Sequence, residues 1–301
     1  MFLLFADTQG QDGRFVIQNY HHYGWLNAVR VLVFSLICVR GTWHYIPSLL
    51  KRATEHSGNM LSNIMMTFRN RNFRTLVILE TAIGGMGGIT SSLLMVSFTY
   101  FWELDTLQVS IMLGGPPLLA VIIATSSARV MNKHLEKHQL LQFSCALGTL
   151  NFLWLTPLKM LGWLPAEGGI VFTLIFLNYA IWVTSSIVRT ISNHALLADI
   201  ADEHELESGQ RQEGVMFAAA FFAAKFISGF GYLVAGPFLD IIGLQAGMLP
   251  GEAPRSVILG PGIMMGPALA LLMLIPLWMS MKLTVSMAGH TAVQQALRER
   301  T

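Results

Sequence analysis

Seven apolar runs, at residues 24–40, 75–99, 107–128, 139–157, 169–193, 214–237 and 263–284, limit what this chain can become. Each is close to the ~20 residues with which an α-helix crosses a ~30 Å hydrocarbon layer. Composition agrees: 12% of residues are charged, against ~25% in a soluble domain. The chain is therefore read as an all-α integral membrane protein. Residues 1–6, MFLLFA, are too short to span and lack a signal peptide's basic start and cleavage site, so they read as the tail end of a helix.

The lysines and arginines give an orientation. Of 19, only Arg30, Arg189 and Lys225 fall well inside the runs, with Arg40 and Lys282 at their ends. The loops at 40–74, 129–137, 211 and 282–300 hold all the others except Arg14, Lys159 and Arg255. Cytoplasmic loops carry the excess of basic residues, so the first set is assigned to the cytoplasm and the C-terminus with it. Residues 41–74 then form a cytoplasmic connection, in which Met60, Ile64, Met65 and Phe68 have the spacing of an interfacial amphipathic helix. Residues 285–301 form a cytoplasmic tail with a short surface helix.

Charges and amides within the runs mark the functional candidates. Lys225 lies about 16 Å along a helix that starts near Gly214, roughly half the membrane thickness. A lysine at that depth costs about 2.5–3.5 kcal/mol, so it is expected to face a partner or a wet cavity. Asn178, Trp182, Ser185 and Arg189 recur at helical spacing and form one polar stripe. Two readings of the stripe stand: a solute pathway, or interhelical hydrogen bonds alone. Asn178, Trp182 and Lys225 are expected at a common depth, with Asn151 as a fourth candidate. An amide, an indole face and a cation suit a polar solute. Two further intramembrane charges, Glu80 and Arg30, are expected to pair, or Glu80 to find another basic group.

Catalytic signals are weak. His204–Glu205 does not extend to HExxH, and neither GxSxG nor a Walker loop occurs. Cys38 and Cys145 sit in apolar runs without metal-site neighbours. The glycines of GGMGG at 84–88 follow no strand and read as a close helix-packing surface rather than a nucleotide loop. The chain is expected to be no enzyme, to hold no metal or resident cofactor, and to bind no nucleic acid.

The stretch Asp199–Arg211 reads as a loop. Asp199, Asp202 and Glu205 fall three residues apart, one acidic edge if the segment is helical, bracketed by Arg189 and Arg211. These five are taken as a cytoplasmic gate whose ion pairs form in one transport state and break in another, or alternatively as a solvated loop. A single exposed pair contributes about 1 kcal/mol or less, so a gate has to use several.

At this loop the sequence resembles the glycoside–pentoside–hexuronide cation symporters, the family of melibiose permease within the major facilitator superfamily. The shared pattern is D-x-x-D-x-x-E, a basic residue, then a helix carrying a lysine, matched by Asp199, Asp202, Glu205, Arg211 and Lys225. FRNRNFRTL at 68–76 is similar to the lead-in to that family's seventh helix, and Tyr20–Pro47 to its sixth. The resemblance implies about seven transmembrane helices corresponding to helices 6–12 of a twelve-helix major facilitator fold. Residues 1–40 then hold the end of the fifth helix and the sixth, 41–74 the central loop, and 75–284 a C-terminal six-helix bundle. It implies symport of a sugar or glycoside with Na⁺ or H⁺ in a bacterial inner membrane, by an N-terminally truncated form. Lys225 becomes a neighbour of the cation site, and a missing N-terminal half a partner beside the membrane lipid. The alternatives are a fragment or split half that does not transport by itself, and carriage of a lipid or lysolipid.

Overall fold

Local capping signals start the helices where the apolar runs begin. In the computed structural model, which describes residues 17–47, 65–165, 167–209, 212–245 and 247–300, every regular element among the described residues is helical. The first, α1 (Ile17–Thr42), leads into a short 3₁₀ turn at Trp43–Tyr45. Met60, Ile64 and Arg211 lie outside the described residues. Met65 is exposed, and Phe68 packs edge-on against Phe73 at 5.2 Å.

Asn70 caps α2 (Arg71–Val96), its side chain accepting the Phe73 amide at 3.0 Å, an interaction of about 1 kcal/mol. The helix then widens into a π-helical turn, Ser97–Phe101. Asp105 and Gln108 exchange side-chain and backbone hydrogen bonds at 2.7 and 3.1 Å to open α3 (Thr106–His134). Glu136 and Gln139 form the same reciprocal box at the start of α4 (Lys137–Met160).

The fifth helix corrects one expectation. Residues 199–208 are not a loop: α5 runs unbroken from Gly168–Ser208, 41 residues, about 62 Å at the helical rise. It ends where Gly209 adopts φ +70° and its amide bonds the Glu205 carbonyl, a left-handed cap that suits glycine. Then α6 (Glu213–Ile242) follows. The Pro/Gly-rich stretch 243–262, which by composition reads as a loop, is helical from Arg255 onward, because Pro254 caps α7 (Arg255–Ile263) and Pro261 sits within it. A second π-helical turn, Met264–Ala268, joins α7 to α8 (Leu269–Met281), and α9 (Met287–Arg300) closes the chain.

Among the described residues, six stretches are long and apolar enough to span a membrane by length and composition: Gln18–Tyr45, Arg71–Phe101, Thr106–Ser127, Gly168–Ser208, Glu213–Ile242 and Arg255–Met281. The seventh run, 139–157, is α4. Its apolar content is diluted by residues such as Gln142, Ser144 and Asn151, yet it packs among the others, burying Leu141, Cys145 and Leu155 completely.

Among the described residues two larger buried clusters hold the bundle, with a third, smaller one of Tyr100, Ile242 and Val257. One joins Phe73, Leu76 and Leu79 of α2 to Leu196, Leu197 and Ile200 of α5 and Met216 of α6, toward the end where the basic residues concentrate. The other joins Phe98 to Val109 and Met112 of α3, Leu155 of α4 and Ile175 of α5. The α2–α6 contact is the closest, as GGMGG predicts. A Cβ on Gly84 or Gly88 would strike the backbone carbonyls of Ala224 and Ser228, and one on Gly231 would meet Gly88 Cα at 2.9 Å. By contrast, α1 stays largely exposed along its described length, Trp25, Leu32 and Phe34 included. Exposed apolar flanks of this kind are what a helix presents to lipid or to other helices.

Candidate functional site

At the seam between the two clusters lies a partly open cavity of about 60 Å³ with a mixed polar and apolar lining. Asn151 from α4, Asn178 and Trp182 from α5, Thr90 from α2, Ser97 from the first π turn and Met265 from the second all line it. The three uncharged residues assigned to a solute pathway from spacing alone are thus in one place. Both π turns border it, and such turns are frequent at functional sites because they shift side chains out of helical register.

The groups in the cavity are held rigidly. Asn151, 5% exposed, donates its side-chain amide to the Asn178 backbone carbonyl at 3.0 Å. Trp182 stacks on Tyr179 with ring centroids 5.7 Å apart and meets Phe152 edge-on at 6.3 Å. One group is left over: among the described residues, the side-chain oxygen of Asn178 is buried without a hydrogen-bond partner. A buried, unpaired acceptor costs about 1–3 kcal/mol, and within a cavity that cost is recovered when a donor enters. The volume holds roughly two waters at ~30 Å³ each. It is well below the ~300–1,000 Å³ of a formed ligand pocket, so a larger solute requires the helices to part.

Farther along the α5 stripe, Ser185 donates to the Ser144 carbonyl at 2.8 Å, and the buried Arg189 guanidinium donates to Ser186 Oγ at 3.0 Å. The next position at this spacing is Asn193, which sequence reasoning missed although extending the stripe by four residues reaches it. Asn193 donates its amide to Glu80 Oε1 on α2. Glu80 therefore does find polar partners, but not Arg30, which sits on the exposed α1.

Arg189 also leaves the gate to which it was assigned. It is ten residues before Asp199, about 15 Å along the same helix. The acids are met by other groups. Lys137, at the start of α4, donates to both Asp199 oxygens at 2.8 and 2.7 Å. His290 Nε2 of α9 lies 3.3 Å from Asp199 Oδ1 and 3.1 Å from Asp202 Oδ2. Glu203 accepts from Asn72 at 3.4 Å, and Asn72 accepts from Thr284 at 3.1 Å. Glu205 supplies the carbonyl that caps α5. Lys137 and His290 gave no advance signal, because their pairing depends on how α4 and α9 fold against α5.

Lys225 is not at the cavity. Ala224 and Ser228 face the α2 glycines, and the ~100° step of a helix turns Lys225 away from that contact. It is exposed, beside the stacked rings of Phe222 and Phe226, 5.8 Å apart. Among the described residues it has no ion-pair partner, and the expected grouping with Asn178 and Trp182 does not form.

An all-helical membrane bundle with a small cavity at the seam of its packed core is compatible with a membrane transporter. The profile of the family described as MFS/sugar transport protein matches residues 2–285, and this chain belongs to that family. A search of curated proteins finds no match.

Proposed function

We propose that this chain is a symporter that moves a sugar or a related small hydroxylated solute by alternating access, driven by Na⁺ or H⁺. The supporting observation is that Asn151, Asn178 and Trp182 converge on one cavity, with a buried acceptor left open. An aromatic face suits the apolar flank of a sugar ring, and the free Asn178 oxygen suits one of its hydroxyls. The Asp199 cluster acts as the gate at the cytoplasmic end, with Lys137 and His290 as its counter-groups. The membrane is a bacterial inner membrane, and the C-terminus is cytoplasmic.

The test is uptake of radiolabelled mono- and disaccharides into vesicles containing the chain, with and without inward Na⁺ and proton gradients. Accumulation that follows a gradient, and falls in Asn178→Leu, is expected. Uptake indifferent to any gradient removes the symport claim.

A second reading draws on the exposure of Lys225 and α1. The chain then acts only alongside a partner that supplies further helices, and the unpaired lysine meets an acidic group there. Co-purification of a second membrane polypeptide, with transport only when both are present, favours that form. Lipid or lysolipid carriage, suggested by the exposed phenylalanines of α6, is tested by competition in the same vesicles.

A further inference from the structure

The polar stripe on α5 does not stop at the cavity; it ends on a carboxyl group in the membrane interior. Glu80 is five residues into the apolar run 75–99, about 8 Å from its basic end and so on the cytoplasmic side of a ~30 Å layer. Its one side-chain hydrogen bond among the described residues comes from Asn193, which is 1% exposed. The other side-chain atom of that amide, Asn193 Oδ1, is buried with no partner. Arg189, one turn back on α5, bears electrostatically on Glu80 but makes no ion pair with it within 4 Å. His194 on α5 and the Cys145 thiol on α4 are the other titratable groups beside this cluster. From α6, phenyl rings are presented instead: Phe217 and Phe221 pack on His194 at 6.4 and 5.1 Å.

We infer that Glu80 is the site at which a coupling proton binds, with Asn193 as the group on α5 that senses whether it is there. This rests on the transport reading above and names the ion for it. The geometry of the amide carries the inference. With Glu80 ionised, Asn193 donates to it and leaves its own oxygen unpaired. When the carboxylate accepts a proton, it becomes a donor, and a half-turn of the amide brings Asn193 Oδ1 round to receive that hydrogen. Each protonation state thus has its own setting of Asn193. Asn193 is on the helix and the stripe that also carry Asn178 and Trp182.

The same surroundings disfavour a metal cation. Hard cations need several oxygen ligands, whereas this carboxylate faces an amide N–H and a nearby guanidinium, both of which repel a positive ion. A proton needs one oxygen, and its loss to the other side of the membrane regenerates the carboxylate with no other reactant. Arg189 keeps its charge throughout.

The experiment uses the full chain. In vesicles, the ratio of proton-driven accumulation to gradient-free solute exchange is expected to fall about tenfold in Glu80→Gln, the usual order of a coupling between two sites. Independently, acid-minus-alkaline infrared difference spectra of the purified wild type are expected to contain a protonated-carboxyl band that Glu80→Gln lacks. Asn193→Leu keeps the carboxyl and is expected to shift that band, which covers the case in which Glu80→Gln does not fold. A band that survives in Glu80→Gln, or that Asn193→Leu leaves unmoved, overturns the proposal. So does accumulation that follows a Na⁺ gradient at constant pH. Absence of uptake under every gradient overturns the transport reading instead, and the infrared band then decides the proton site alone.

Discussion

The two ends of α5 both carry polar residues and use them in opposite ways. Toward Ser208, Asp199, Asp202 and Glu203 are engaged by Lys137, His290 and Asn72. Toward Gly168, Asn178 keeps a buried oxygen with nothing to bond. The difference separates polar groups that hold helices together from polar groups kept ready for something else. Polarity within a membrane helix marks neither by itself; the state of its hydrogen bonds does.

The largest effect on that contrast is expected at the paired end. Asp199→Ala removes the partner of both Lys137 and His290 from a site where Asp199 is 8% exposed. Breaking a buried pair on one side costs about 3 kcal/mol, to be read as a lower thermal midpoint in detergent. A double-mutant cycle with Lys137→Met assigns the share due to that pair. Gly88→Leu is a control outside both ends. It pushes α2 from α6 at the Ser228 carbonyl, an overpacking cost of about 2 kcal/mol by the same melting assay.

Asn178→Leu should act with the opposite sign. Replacing an unpaired amide with an apolar side chain of similar size is expected to raise stability by about 1 kcal/mol, while solute uptake is lost. A variant that is both less stable and fully active would place Asn178 with the structural residues and dissolve the comparison. The smallest effect belongs to Lys225→Ala. Exposed and unpaired among the described residues, it should change the melting free energy by no more than about 0.5 kcal/mol. Any larger loss would mean that Lys225 has a partner in the folded protein.

The spans were legible because length and apolarity are enough to define them, and the α5 stripe because its polar residues stand out at helical period on an apolar background. Residues 199–208 misled because charge usually signals a loop, whereas here Lys137, Asn72 and His290 pay the acids' desolvation and the helix continues. Lys225 misled for another reason. With apolar residues all around α6, periodicity alone does not tell which face packs, and only the small-residue contact with α2 decides it. The proline-rich stretch before residue 263 was read as irregular, although a proline ahead of a helix is compatible with its start and Pro261 is accommodated beside a π turn.

The unbroken course of α5 makes it a lever. Its clamp at Asp199 and its working groups at Asn178 are 21 residues apart on one rod, about 32 Å. A tilt of ~5° about the clamp would carry Asn178 through ~3 Å, the full length of a hydrogen bond. The shape of the cavity is therefore tied to how α5 is held 21 residues away, with no bend anywhere between.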